Sequence, residues 1–309
     1  MSDTTPSTPI KVPPALRCSL HRFFGPAWAE ALPALVARRL HHWNLRPTGA
    51  PMHGMVALVL PVELPDHTPA MLKIQPVDDE SEGEPHALRV WAGDGAVRLL
   101  DHDPRSGAML LEALDPSRSL EAVDITEALT VIGGLLARLH SHRAPHGVRT
   151  LGEIALDASA RAFRAAPRLR SEHDRRRLAS LAALARELAP DGGDRLLHWD
   201  LHFQNVLAPL PGTDRGPWLA IDPKPLAGDP GFDLLPALHN RWSEAVATGD
   251  PLRETRRRLD ILCETAGVDR DRARAWTRVR VLQQCLWALQ EGATALPQVP
   301  MAIARALRR

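Results

Sequence analysis

Apolar residues recur three and four positions apart along WAEALPALVARRLHHW, which predicts a helix over residues 27–43 that ends before LRPTGAP. The period then shortens. MVALVLPVEL and PAMLKIQPV are apolar runs of strand length joined by the turn-like PDHT. The acidic stretch DDESEGE leads into EPHALRVWAG, a second helical pattern that Gly93 closes. AVRLLDHD and AMLLEAL predict two further strands around PRSG. The first third of the chain therefore reads as an antiparallel sheet with one inserted helix.

Beyond DPSRSL the pattern changes. ITEALTVIGGLLARLHSH is strongly helical, weakened by Gly133 and Gly134, and residues 153–165 and 173–188 predict two more helices. LLHWD, NVLAPL and PWLAIDPK are short apolar runs suited to loops and small strands. After Asp233 the helical period returns in LLPALHNRWSEAVAT, PLRETRRRLDILCETAG, RDRARAWTRVRVLQQCLWALQ and a last short segment. Residues 1–17, rich in Pro, Ser and Thr, read as a loose arm. The expected architecture is α+β and bilobal: a β-rich lobe over residues 1–115, a connector near residues 112–116, and a mainly helical lobe over residues 116–309.

Composition narrows the partners. An apolar share of 44% and a charged share of 24% describe an ordinary globular protein, and a net charge of +1 provides no field to attract nucleic acid or anionic lipid. The N-terminal residues have no basic-then-apolar signal pattern, and no apolar run reaches membrane-spanning length, so a cytoplasmic protein with no obligate protein partner is expected. Cys18, Cys263 and Cys285 form no C-x-x-C pair and read as free thiols. Lysine occurs only at Lys11, Lys73 and Lys224, while Arg, Ala and Pro abound and Tyr is absent, the mark of a GC-rich coding bias. A lysine retained under that bias is informative, because Arg cannot replace it where a compact ammonium must reach a confined anion.

The lysines lead to the chemistry. Phosphoryl transfer from ATP requires mainly positioning and charge neutralisation. It takes a Lys on a strand to contact the phosphates, a Glu on a neighbouring helix to hold that Lys, and an Asp to take the acceptor's proton. An Asn five residues later and a second Asp on the next hairpin hold magnesium. The sequence supplies these parts in that order: Lys73 in AMLKIQP, Glu84 at the start of the next helix, Asp200 and Asn205 in HWDLHFQN, and Asp222 at the end of PWLAID. His198 and His202 are also four apart, but Trp199 stands where a zinc helix of the H-E-x-x-H type needs Glu.

HWDLHFQNVL followed by AIDPKPLAGDPGFDLLPAL resembles the aminoglycoside phosphotransferase family. Within it, the chain is similar to the aminoglycoside/hydroxyurea kinase branch that phosphorylates streptomycin at O-6. Supporting stretches lie between residues 40 and 300 and include TGAPMHGMVALVLPV, MLKIQP, EPHALRVWAGDGAVRLL and MLLEAL. The resemblance implies a protein-kinase-like bilobal fold with ATP and Mg2+ as cofactors and a small-molecule aminoglycoside as acceptor. It implies Asp200 as catalytic base, Asn205 and Asp222 as magnesium ligands, Lys73 and Glu84 as the ATP-anchoring pair, and the backbone of Glu112, Ala113 and Leu114 at the adenine. Asp229, Asp233 and Glu244 are candidate contacts for a cationic acceptor. Asp233 has a second reading, as a helix cap or a brace for the catalytic loop. Lys224 is open between a phosphate contact and an ion pair with Asp229.

The chain also departs from protein kinases. HWD replaces H-R-D, Pro223 and Lys224 follow Asp222 in place of Phe-Gly, and no A-P-E segment follows. No G-x-G-x-x-G is present, which leaves Gly49 and Gly54 as candidates for a phosphate-covering turn. These departures indicate a small-molecule kinase. The alternatives are a kinase of the same fold acting on another hydroxyl metabolite, and a nucleotide-binding module without turnover.

Overall fold

The computed structural model describes residues 10–308. They form two compact units, one comprising the chain to Gly93 together with Val97–Leu114, the other Asp94–Ala96 and the chain from Asp115 onward.

In the first unit, helices α1 (Pro14–Phe24) and α2 (Pro26–His42) precede strands β1 (Arg46–Pro47), β2 (Met52–His53), β3 (Leu58–Glu63) and β4 (Pro69–Ile74). Helix α3 (Glu84–Trp91) and strands β5 (Leu99–Asp103) and β6 (Ala108–Glu112) complete it. Every pairing is antiparallel, in the order β1-β3-β4-β6-β5, with β2 folded back on β3. Strand β3 alternates buried and half-buried positions, so Leu58, Leu60 and Val62 share one face. That face, with Leu72, Ile74 and Leu110, meets the apolar stripe of the two leading helices, Leu16, Leu20, Leu32, Val36 and Leu40. Each such leucine contributes about 1.5–3 kcal/mol on burial.

Residues 1–9 of the expected arm lie outside the described residues, and from Pro14 the chain is helical. VPPALRCSLHRFF conceals a helical stripe behind its prolines: Pro14 occupies the first turn, where no N–H is needed, and Leu16 and Leu20 point into the core.

In the second unit, β7 (Leu114–Ser119) forms a three-stranded sheet with β9 (Val206–Pro209) and β10 (Leu219–Ala220), in the order β10-β9-β7. Strands β8 (Arg195–Leu197) and β11 (Leu226–Gly228) pair separately. The helices are α4 (Ile125–Leu139), α5 (Leu151–Ala165), α6 (Glu172–Leu188), α7 (Leu235–His239), α8 (Trp242–Ala247), α9 (Pro251–Ala266), α10 (Arg270–Gln290) and α11 (Gln298–Ala306). Helix α4 packs on α9, and α10 packs against α5, α6 and the 3-10 segment Pro230–Leu234. Gly133 of α4 is a point of closest approach: a Cβ there would come 2.7 Å from Cβ of Thr265 and closer still to its hydroxyl.

LLPALHNRWSEAVAT does not continue as one helix. Arg241 adopts a left-handed conformation (φ 53°), which separates α7 from α8. The break allows the Arg241 side chain to work inside the unit. Its guanidinium grips Glu244 at 2.7 and 2.9 Å, donates to the carbonyl of Val123 at 2.8 Å, and stacks on Phe203.

Candidate active site

Lys73 stands in the middle of the first unit's sheet, opposite Val59 on β3 and Met109 on β6. Its ammonium donates to both carboxylate oxygens of Glu84 at 2.7 Å. Glu84 opens α3 and is 1% exposed, while Lys73 is 4% exposed. Glu82 is exposed and Glu80 only part-buried, so Glu84 is the member of the acidic stretch that packs into the unit. A third donor, Nε2 of Gln75, reaches the same carboxylate at 2.8 Å. Desolvating two charges costs several kcal/mol each, so a buried pair is weak evidence of stabilisation and stronger evidence of a fixed position. Gln75 went unnoticed in the sequence. Its signal was available, because positions 73 and 75 of a strand share a face.

At the end of β6, Glu112 closes a two-way contact with Arg98. Its Oε1 accepts from the Arg98 N–H at 2.7 Å, and its own N–H donates to the Arg98 carbonyl at 3.0 Å. Ala113 follows, outside either strand, and Leu114 starts β7. Gly54 opens the tight turn from β2 to β3, its N–H donating to the carbonyl of Ala57 at 3.0 Å.

In the second unit, HWDLHFQN is a loop between β8 and β9 that includes the 3-10 turn Phe203–Asn205. His198 is its hub. The ring is fully buried, with Nε2 3.0 Å from the carbonyl of Ile221 and Nδ1 3.3 Å from the N–H of Asp200. A carbonyl only accepts and an N–H only donates, so the ring is neutral with its proton on Nε2. Burial pushes its pKa down, against opposing pulls from Asp233, Asp200 and Asp222. The His198 carbonyl accepts the N–H of Lys224 at 3.0 Å. One residue thus joins the segments carrying Asp200, Asp222 and Lys224.

Asn205 tightens the same knot. Its Nδ2 donates to the carbonyl of Asp200 at 2.9 Å, and its own carbonyl accepts the N–H of Ile221 at 2.9 Å. With Nδ2 engaged, the amide offers Oδ1 as its remaining acceptor. Asp222 comes just after β10 in a left-handed conformation (φ 58°) and adds a carboxylate. Hard oxygen donors of this kind suit magnesium, which takes one or two protein groups and completes its shell with water and phosphate. The residues therefore fit the ion. They do not form a zinc site: the loop is not helical, His198 is spent as described, and Nδ1 of His202 accepts the N–H of Gln204 at 3.3 Å.

Asp233 fixes the loop from beneath. Wholly buried, it accepts the N–H of His198 at 2.8 Å and the N–H of Trp199 at 2.7 Å, and its Oδ2 lies 3.0 Å from Nε2 of His140. Trp199, at φ 67°, precedes Asp200 in a left-handed turn, and the guanidinium groups of Arg149 and Arg280 each stack over its ring 4.9 Å from the centroid. A bulky residue in that region is strained, and the two N–H bonds to Asp233 hold the turn in place.

The acids proposed for a cationic acceptor are committed elsewhere. Asp233 is the brace just described. Asp229 is buried against Arg272 at 2.6 Å and caps the N–H of Gly231 at 2.8 Å, and Glu244 is held bidentately by Arg241. An acceptor would have to displace arginines or backbone donors to reach these carboxylates. Lys224 does not pair with Asp229. Its ammonium lies 3.3 Å from Oδ2 of Asp200.

The family model described as aminoglycoside/hydroxyurea antibiotic resistance kinase matches residues 42–292. Streptomycin 6-kinase of Streptomyces glaucescens is 50% identical over 97% of each chain. Hydroxyurea phosphotransferase of Kitasatospora aureofaciens is 52% identical over 92% of this chain and 81% of its own. Among solved structures, a putative fructosamine-3-kinase from Thermobifida fusca superposes with a TM-score of 0.56 at 21% identity, covering 89% of this chain and 98% of that one. A spectinomycin phosphotransferase solved with ADP and spectinomycin gives 0.52 at 11%, covering 89% and 92%. At those identities the structural likeness speaks for the kinase-like fold alone.

Proposed function

This chain belongs to the aminoglycoside/hydroxyurea antibiotic resistance kinase family, and from that premise we propose that it transfers the γ-phosphate of ATP to the 6-hydroxyl of streptomycin. Asp200 orients the acceptor hydroxyl and takes its proton. Lys73, fixed by Glu84 and Gln75, restrains the phosphates. Asn205 and Asp222 hold magnesium, which neutralises the phosphate charge when bound. The backbone of Glu112, Ala113 and Leu114 receives the adenine edge, and the Gly54 turn lies over the phosphates. The result for the cell is inactivation of the antibiotic.

One observation carries this reading. Asp200, Asn205 and the segment that carries Asp222 are tied together through His198 and Asn205, and Asp233 orients the loop from within. Positioning of this kind is most of what phosphoryl transfer asks of a protein. The acceptor is supported by two relatives with different names, so the test covers both. ADP release is measured with magnesium and ATP in the presence of streptomycin, hydroxyurea, other aminoglycosides and simple sugars, and the phosphorylated atom is located by phosphorus NMR. Phosphate on O-6 of streptomycin is the expected result. Stimulation by hydroxyurea alone would leave the kinase and remove the aminoglycoside. Asp200→Ala is expected to bind ATP normally and lose transfer by roughly 10²–10⁴-fold, and near-normal turnover in that variant would remove Asp200 from its role.

A further inference from the structure

Lys224 stands between two prolines at the end of the run that contains Asp222. Pro225 disfavours the helical region for Lys224, and the ring of Pro223 locks its own φ just before it. Immediately beyond, β11 begins with Leu226 in register with Leu197 of β8. The N–H of Lys224 is tied to His198. A stiff segment therefore carries this ammonium to Oδ2 of Asp200, at 3.3 Å. The two side chains retain 38% and 27% of their exposure. An ion pair so exposed contributes about 0–1 kcal/mol, so this pair by itself is a weak reason to keep the lysine. Coding bias does not account for it either, since arginine serves almost everywhere else in this chain.

We propose that Lys224 is a catalytic residue of the transfer. When nucleotide and acceptor are bound, its ammonium passes from Asp200 to the non-bridging oxygens of the phosphoryl group in flight. This rests on the kinase reading above. The acceptor oxygen must lie beside the Asp200 carboxylate to lose its proton, and phosphorus must come within bonding reach of that oxygen. A cation one hydrogen bond from the same carboxylate is then within reach of the phosphoryl oxygens. In the step, the acceptor O–P bond forms and the P–O bond to ADP breaks, its electron pair leaving with ADP, while the acceptor proton goes to Asp200. Charge spreads over the three equatorial oxygens, and Lys224 neutralises it there. Its departure leaves Oδ2 of Asp200 open to the hydroxyl.

The test compares wild type, Asp200→Asn, Lys224→Met and Lys224→Arg. Steady-state rates with ATP and streptomycin are measured beside equilibrium binding of ATP. A third measurement is the affinity for ADP with aluminium fluoride, a planar mimic of the phosphoryl group, in the presence of magnesium and streptomycin. Lys224→Met is expected to lower kcat about 100-fold, leave the KM and Kd for ATP unchanged, and weaken the fluoride complex by a similar factor. Lys224→Arg is expected to recover part of the rate. A wild-type rate in Lys224→Met, or a loss carried wholly by weaker ATP binding, overturns the proposal. If the Met variant does not fold, Lys224→Gln is judged by the same criteria. Failure of the wild type to phosphorylate any acceptor of the panel would defeat the kinase reading, and Lys224's role with it; if an acceptor other than streptomycin is used, the same variants are compared with that acceptor. An active wild type with a silent Asp200→Asn and an unaffected Lys224→Met would defeat the Lys224 proposal alone.

Discussion

Asp233 divides its two oxygens among two backbone N–H groups of the 198–205 loop and a histidine. Asp233→Ala leaves two buried backbone N–H groups and the Nε2 of His140 without their acceptor, at about 1–3 kcal/mol each. The expected result is a marked fall in the urea midpoint, with a drop in kcat as Trp199 relaxes. Asp233→Asn keeps one acceptor oxygen and should lose less of both. His198 makes a second prediction. Its folded pKa lies below the ordinary 6.5 because of burial, so the unfolded chain binds the extra proton first. Stability conferred by the neutral ring is complete above 6.5 and declines as pH falls below it, by up to about 1.4 kcal/mol per pH unit. Denaturant midpoints between pH 8 and 5 should show that slope, and His198→Gln should flatten part of it. Spacing in the sequence revealed that Asp200, Asn205 and Asp222 come together. Spacing carries no information on direction, so it could not tell that Asp229 and Asp233 turn inward, that Glu244 is taken up by Arg241, or that Lys224 turns to Asp200.

Helices and strands were legible wherever one face is apolar over several turns, as along α4, α9 and β3. Two elements were not. Helix α1 was masked by prolines that a first turn tolerates, and the break between α7 and α8 leaves no mark in the periodicity. The left-handed conformation of Arg241 goes with side-chain contacts to Glu244, three residues on, and to two long-range partners, the Val123 carbonyl and the Phe203 ring. The paired glycines of α4 show how context decides. A Cβ at Gly134 meets nothing within 4 Å, while one at Gly133 collides with Thr265 of α9. Gly134→Ala should therefore stabilise by about 0.5–1 kcal/mol through helix propensity. Gly133→Ala should destabilise by about 1–3 kcal/mol through overpacking. Thermal melts of the two single variants distinguish them by the sign of the change.

At the scale of the whole molecule, the period changes from strand to helix near residue 115, and one compact unit ends at Leu114. Residues 94–96 join the other unit although they precede that change. A non-local bridge, Ala96 to Ala220, puts them there, and local pattern does not encode such a pairing. Among the described residues, no helix is long and apolar enough to cross a membrane. The three thiols differ by burial. Cys263 and Cys285 are enclosed and their pKa values are pushed up to about 11 and about 12, whereas Cys18 is exposed. At pH 8 a disulfide reagent should modify one thiol per native chain and three after denaturation. Rapid modification of all three in the native protein would show that the core around α9 and α10 opens readily.

The contact between Gly133 and Thr265 also constrains the order in which this chain can change. With Thr265 in place, any side chain at 133 is penalised, so that mutation arrives as a loss. Thr265→Ala does not relieve it, because the Cβ at 265 is itself 2.7 Å from where the new one would stand. The opening move is Thr265→Gly, which costs roughly a few tenths of a kcal/mol in helix propensity relative to threonine and the hydroxyl's bond to the Ile261 carbonyl, after which alanine at 133 is accommodated. The glycine is in effect handed from one helix to the other. Lineages that have made the exchange should carry glycine at 265 whenever 133 has a side chain, and reverting either position alone should be more harmful than reverting both.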